Sequence, residues 1–294
     1  MSDIHIDALL PQEMAARAEY LGVRKAEMPF LKMFMLSVLA GAFISLGAIF
    51  ATTVSAGNIV ITPAEGVAYT AALPFGVTRL LSGLVFCLGL ILVVVGGAEL
   101  FTGNNLIVMA WASGKVTAGA VLRNWLVVYV GNFVGAVGTA VLMLFTRQYT
   151  FGGNAVGIAA LRTAAVKCDL EFVQAVALGI LCNALVCLAV WMSFSARSTM
   201  DRIISIIFPI TAFVAAGFEH SIANMYFIPY ALLVKMFDPA FVTSVGGSVA
   251  NLDALNWQAF WFNNLLPVTI GNIIGGAVLV AAIYWAIYLR RTDS

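Results

Sequence analysis

The sequence predicts an all-α membrane protein of six transmembrane helices, built as two copies of a three-helix unit in which helices 2 and 5 are broken. Three observations predict it. Of 294 residues, 62% are hydrophobic and 10% charged, with a mean hydropathy of +0.99, whereas a soluble globule carries about 25% charged residues. Six long apolar runs each approach the ~20 residues a helix needs to cross a bilayer, and they are continuous rather than alternating as in a membrane β-barrel. Two short polar patterns each occur twice, in the same order, inside those runs.

Residues 1–29 are polar and amphipathic. Within them, 11–25 reads as a helix with Ala8, Met14, Ala15, Ala18 and Leu21 roughly along one side and Glu13, Arg17, Arg24 and Lys25 elsewhere. Two roles stand open for it: a helix lying in the membrane interface on the cytoplasmic face, or a gating element over a pore. No cleavable signal pattern appears, so the first span is expected to anchor itself.

The pore domain is expected over 30–290. Its apolar runs cover about 30–56, 76–97 with a continuation to 113, 118–146, 172–194, 203–216 with a continuation over 224–237, and 257–289. Repeat one spans about 30–146 and repeat two about 168–290, leaving 291–294 as a tail. With the N-terminus inside, ten basic residues fall on the cytoplasmic side, Arg290 and Arg291 among them. Five fall outside: Arg79, Arg147, Arg162, Lys167 and Lys235. The excess places both termini in the cytoplasm.

The first repeated pattern is Gly-x-Glu-x-x-x-x-Asn. It appears as Gly97-Ala98-Glu99-Leu100-Phe101-Thr102-Gly103-Asn104 and as Gly217-Phe218-Glu219-His220-Ser221-Ile222-Ala223-Asn224. Both interrupt apolar runs, and paired interruptions in two halves of a chain mark a transport site. The second pattern, Asn-x6-Gly-Asn-x-x-Gly, runs from Asn124 through Gly131-Asn132 to Gly135, and from Asn264 through Gly271-Asn272 to Gly275. Three helices per copy is odd, so the second copy is inverted in the membrane and the broken helices meet near its midplane.

Ionisable groups at membrane depth are costly and usually functional. His220 is the one histidine outside the N-terminal tail, and its ring can donate, accept or carry a proton. Thr102 occupies the matching zone of the other break and can donate to an anion or to His220. Asn183 and Asn272 either bond a passing solute or bond only loop backbone. Glu99 and Glu219, with Asn104 and Asn224, are expected to pin the loops, the carboxylates by accepting from free loop N–H groups. Leu90, Leu100, Phe101, Val186 and Phe213 are apolar candidates beside the pathway, although for any one of them alone a lipid-facing or core position is the better account. Lys167 reads either as a lone cation that concentrates anions at a vestibule or as an ordinary snorkelling lysine. Cys87, Cys168, Cys182 and Cys187 have no ligand spacing and read as small packing residues. No metal or cofactor is expected, and a net charge of +1 gives no bulk polarity for nucleic acid.

Together these runs, with 183–193 and 267–276, closely resemble the formate/nitrite transporter family over about residues 10–290. The resemblance implies an aquaporin-like six-helix protomer in a homopentamer of the inner membrane, with one pore per protomer and no enzymatic activity. It makes His220 the central histidine and Thr102 the threonine of an Ω-shaped loop. It places Phe101, Val186 and Phe213 at a periplasmic-side constriction and Leu90 and Leu100 at a cytoplasmic-side one. It puts Asn183 and Asn272 in the pore and makes Lys167 a vestibule lysine. Family members carry formate, nitrite, hydrosulfide, lactate or acetate, and this chain looks most like the formate branch. After Thr102, Gly103-Asn104-Asn105 departs from the small hydroxyl residues of some relatives. The implied function is pH-dependent, proton-coupled movement of formate and related small monovalent anions. The alternatives are a nitrite or hydrosulfide channel of the same family, or a membrane subunit of a formate-oxidising complex. That last alternative would need several membrane histidines as axial ligands.

Overall fold

The computed structural model describes residues 8–57, 59–61 and 69–290. The expected 291–294 tail, Arg291 and residues 1–7 of the N-terminal segment lie outside the described residues. Helix α1 (Pro11–Ala26) precedes α2 (Phe30–Ser55), a β-hairpin (β1, Ile59–Ile61; β2, Tyr69–Ala71) and α3 (Phe75–Gly96). A 3-10 turn (Gly103–Ile107) leads into the short α4 (Val108–Ala112), then α5 (Ala118–Thr146) and α6 (Ala155–Cys168). Then come α7 (Phe172–Ser195), α8 (Thr199–Ala216), α9 (Ser221–Phe237), α10 (Pro239–Val245) and α11 (Trp257–Tyr288). Among the described residues six helices are long and apolar enough to cross a membrane: α2, α3, α5, α7, α8 and α11. At 1.5 Å per residue, the 26 residues of α2 reach about 39 Å, more than the ~30 Å hydrocarbon layer.

The expected breaks fall after α3 and α8. The fifth segment resumes at Ser221 rather than at Asn224, because His220 supplies the cap of α9. The hairpin, α6 and α10 had no apolar run long enough to announce them. Helix α11 passes through two π-helical stretches, Phe260–Leu265 and Ile274–Ala282, on either side of Asn272. Such stretches cluster at functional sites.

The inverted duplication is visible in packing. Helix α2 lies against α3 and α5, and α7 against α8 and α11. In lipid there is no hydrophobic force to join helices, so close van der Waals contact must do it. The repeated glycines permit that contact: a Cβ on Gly135 would collide with the carbonyl of Val38, and one on Gly275 with that of Ile180. Buried Asn132 and Asn272 stand next to these approaches.

Helix α1 is docked on protein. Its buried face carries Met14, Ala15, Ala18, Gly22 and Ala26. Buried Glu19 pairs with Lys115 and accepts from Ser113 Oγ (3.0 Å), which in turn accepts from Trp285 Nε1 (3.0 Å). The helix thus lies over the 3-10 turn and α4, beside the first break.

Candidate functional site

Both breaks are built the same way. Gly97 and Gly217 end α3 and α8 at φ +80° and +79°, left-handed values that a side chain disfavours. The chain then runs extended, and the amides of Glu99 and Glu219 donate to Leu36 and Leu178 carbonyls at 3.2 and 3.3 Å. Asn132 Oδ1 accepts from Phe101 N–H (3.0 Å), while its Nδ2 donates to Ser37 and Glu99 carbonyls at 2.8 and 2.9 Å. Asn272 repeats this with Ser221 N–H at 2.9 Å and the Gly179 and Glu219 carbonyls at 2.9 and 3.0 Å. Asn272 is therefore committed to loop backbone. Asn183 likewise donates to the carbonyls of Thr102 (3.3 Å) and Asn272 (2.6 Å).

The two glutamates are held differently from the sequence expectation. Among the described residues neither carboxylate accepts from a backbone N–H of its loop. Glu99 Oε1 pairs with Lys25 Nζ at 2.7 Å and its Oε2 accepts from Asn104 Nδ2 at 2.8 Å. Asn104 also donates to Asn124 Oδ1 (2.9 Å), and Asn124 Nδ2 donates to the Lys25 carbonyl (3.0 Å). The second break repeats this chain of contacts, without a counterpart among the described residues to the bond that Lys25 Nζ also gives Asn104 Oδ1 (3.0 Å). Glu219 pairs with Lys167 (2.7 Å) and accepts from Asn224 (2.7 Å), which donates to Asn264 (2.7 Å), which donates to the Lys167 carbonyl (3.0 Å). Lys167 is accordingly no lone cation: its side chain is 14% exposed and ion-paired. Lys25 and Lys167 being equivalent, α6 is the counterpart of α1, and the duplication extends upstream of the three-helix unit.

The repeats differ at the centre, where Thr102 Oγ1 lies 3.0 Å from His220 Nε2. His220 is also the N-cap of α9, its Nδ1 accepting from Ala223 N–H at 3.1 Å. An acceptor nitrogen carries no proton, so in the neutral ring the hydrogen sits on Nε2 and points at Thr102. The Thr102 hydroxyl then accepts from the ring and keeps its own hydrogen for another partner. Its carbonyl is held by two donors from α7, Asn183 Nδ2 and Cys187 Sγ (3.3 Å each).

Leu90, Leu100, Val186 and Phe213 share with His220 a void of about 10 Å³, together with Ile44, Phe86 and Ile210. That is about the space of one water. Phe86 and Phe213 meet edge to face with centroids 5.7 Å apart, and Phe213 stacks on the His220 ring at 5.8 Å. Phe101, expected at the constriction, is not among the lining residues. Its ring sits edge-on to Trp125 and Tyr129, since the Asn132 anchor on its amide fixes the loop with this side chain toward α5. Leu90 and Leu100 separate the void from a cavity of about 330 Å³ beneath α1, which Arg17, Lys25, Glu99 and Arg202 also line.

Lys25, Asn124, Asn132, Asn264, Phe86 and Cys187 received no site role from the sequence. The asparagines were inside the second repeated pattern and had a readable signal. Lys25 had none, because Lys25 and Lys167 stand at unequal distances from their glutamates. Among the described residues no group of His, Cys, Asp and Glu gathers as metal ligands.

Residues 12–286 match the family model "Formate/nitrite transporter". The chain is 47% identical over 293 residues, 99% of both chains, to the formate channel FocA of Escherichia coli strain K12. It is 40% identical over 287 residues to the formate channel FocA of Haemophilus influenzae, covering 97% of this chain and 96% of the relative. A solved pentameric formate channel with formate bound superposes at a TM-score of 0.78 with 45% identity, over 89% of this chain and 98% of that one. An FNT family ion channel superposes at 0.75 with 26% identity, over 94% of this chain and 98% of that one. These relatives are channels and not enzymes.

Proposed function

We propose that this chain, which belongs to the formate/nitrite transporter family, moves formate across the inner membrane, coupled to protons, through a pore gated at His220. It is a multi-pass membrane protein. The α1 face and both termini lie in the cytoplasm, as the basic-residue count indicates, and the chain assembles as a homopentamer like the pentameric relative.

The observation that carries this reading is the Thr102–His220 pair, which among the described residues is the side-chain contact that joins the two breaks directly beside the apolar void. Formic acid, like other simple carboxylic acids, has a pKa of about 3.5–4, so the substrate arrives as an anion. An apolar constriction penalises a bare anion by several kcal/mol. The Thr102 hydroxyl, polarised by Nε2–H behind it, donates a hydrogen bond to a carboxylate oxygen, the anion takes its proton from the aqueous phase on the side it entered, and the neutral acid crosses between Leu90, Leu100, Val186 and Phe213. A second proton reaches the ring only at Nδ1, at the expense of the α9 cap. The neutral ring therefore acts as a hydrogen-bond donor that keeps its proton, and a charged His220 passing the bare anion is the less supported route. Lys167, paired with Glu219, offers its remaining N–H groups to the anion at the outer mouth.

His220→Phe and His220→Asn in proteoliposomes test this. The phenylalanine variant should lose proton-coupled formate flux, and the asparagine variant, which keeps an N–H, should retain part. Unchanged flux in His220→Phe would remove the histidine from the mechanism. Nitrite and hydrosulfide as competitors decide selectivity within the family.

A further inference from the structure

We infer that the cavity beneath α1 binds a compact dianion, a phosphate or phosphate monoester, which plugs the pore from that face. Three cations line it. Lys25 is neutralised by Glu99 at 2.7 Å. Arg17 from α1 and Arg202 from α8 are half-buried and make no side-chain hydrogen bond or ion pair among the described residues. Two like charges from separate elements therefore face one cavity with no acidic partner paired to them among the described residues, so the described lining carries a net charge of +2 after the Lys25–Glu99 pair cancels.

Arg202 gains nothing from its own helix. It stands in the first turn of α8, where a cation opposes the helix dipole. The duplication requires neither arginine. Aligned through the Lys25–Lys167 and Glu99–Glu219 pairs, the positions matching Arg17 and Arg202 hold Ala159 and Ser82. Among the described residues, the other face matches its cations to acceptors: Arg79 donates to the carbonyls of Val214 and Ala215, Lys235 to those of Leu252 and Leu255. Among the described residues the unmatched pair of charges lies on the α1 face.

Size holds the occupant in the cavity beneath α1. The cavity holds about 330 Å³, and the void beyond Leu90 and Leu100 about 10 Å³. A phosphate fits the first and cannot enter the second. Guanidinium forks suit phosphate oxygens bidentately, and a dianion balances two of them where a monocarboxylate leaves one charge over. Bound there, it would bridge α1 to α8 across the path to Leu90. The blocking effect rests on the transport reading, whereas the binding does not.

The test titrates the detergent-solubilised full chain calorimetrically with inorganic phosphate and, separately, glycerol 2-phosphate, at constant ionic strength and about pH 8, where the dianion dominates. The double variant Arg17→Gln/Arg202→Gln should bind at least about tenfold more weakly. The Lys/Lys double variant, which keeps point charges without the fork, should fall between. Side-selective vesicles then show whether phosphate slows formate entry from the α1 face and not from the other. Absence of saturable binding, equal affinity in the Gln/Gln variant, or an adventitious ion only would overturn the site. Binding without side-specific inhibition would overturn the plug. Wild-type vesicles that pass no formate would instead count against the transport reading, with the calorimetry still deciding the site.

Discussion

Glu219→Gln removes one charge from the clamp at the second break while preserving shape. Its partner Lys167 is 14% exposed and Glu219 only 6%. Breaking a buried pair by deleting one partner costs about 3–5 kcal/mol, because the other charge stays desolvated. The glutamine still accepts from Asn224, and Lys167 can move some of its ammonium toward water, so about 2–3 kcal/mol is expected. The equivalent Glu99→Gln strands Lys25, which is 31% exposed and keeps a second acceptor in Asn104 Oδ1 at 3.0 Å. Screening reduces that loss to about 1–2 kcal/mol. Unfolding of the purified protein in mixed micelles should therefore rank Glu219→Gln below Glu99→Gln by about 1 kcal/mol. A cycle with Lys167→Met should return a coupling of about 1–2 kcal/mol between Lys167 and Glu219. Equal losses at the two sites, or a coupling near zero, would show that the paired carboxylates do not pin the breaks.

At the centre, Thr102→Val deletes the hydroxyl and should cut formate flux about tenfold or more, while Thr102→Ser restores it; liposome uptake rates compare the two. Gly275→Ala drives a methyl into the Ile180 carbonyl, so the α7–α11 contact must open and thermal unfolding should fall by several degrees, more than for alanine at exposed Gly76. In the turn between α9 and α10, hydrogen bonds from Phe241 N–H and Tyr149 O–H hold the Asp238 carboxyl below its ordinary value. A depressed folded value stabilises above the unfolded carboxylate range and is lost as pH falls through it. Wild-type protein should thus lose more stability on acidification than Asp238→Asn, as melting curves across acidic pH will show.

The six spans were legible because a bilayer demands long apolar runs, and the breaks because Gly97 and Gly217 sit beside glutamates that no uninterrupted span would carry. The duplicated asparagine pattern foretold inverted packing for the same reason: an amide at membrane depth needs partners, and the matching glycines supply them. Other features left little trace. Helix α6 has no long apolar run, and its kinship with α1 rests on one lysine at an unequal spacing. Which way a ring points is a tertiary matter, so only in three dimensions could it be told that Phe86, in the middle of α3, lines the void while Phe101, at the break, does not. The role of His220 as helix cap depends on where α9 begins, and Asn224 was too conspicuous a starting point. Lys167 looked solitary because its partner, Glu219, lies 52 residues away.

The central claim is that formate crosses with a proton through the Thr102–His220 contact. Labelled formate uptake and internal pH, recorded together in proteoliposomes at two external pH values, test it most directly. The account predicts faster uptake at the lower pH, internal acidification in step with the label, and loss of both in His220→Phe. Uptake that leaves internal pH unchanged and instead generates a membrane potential would contradict it.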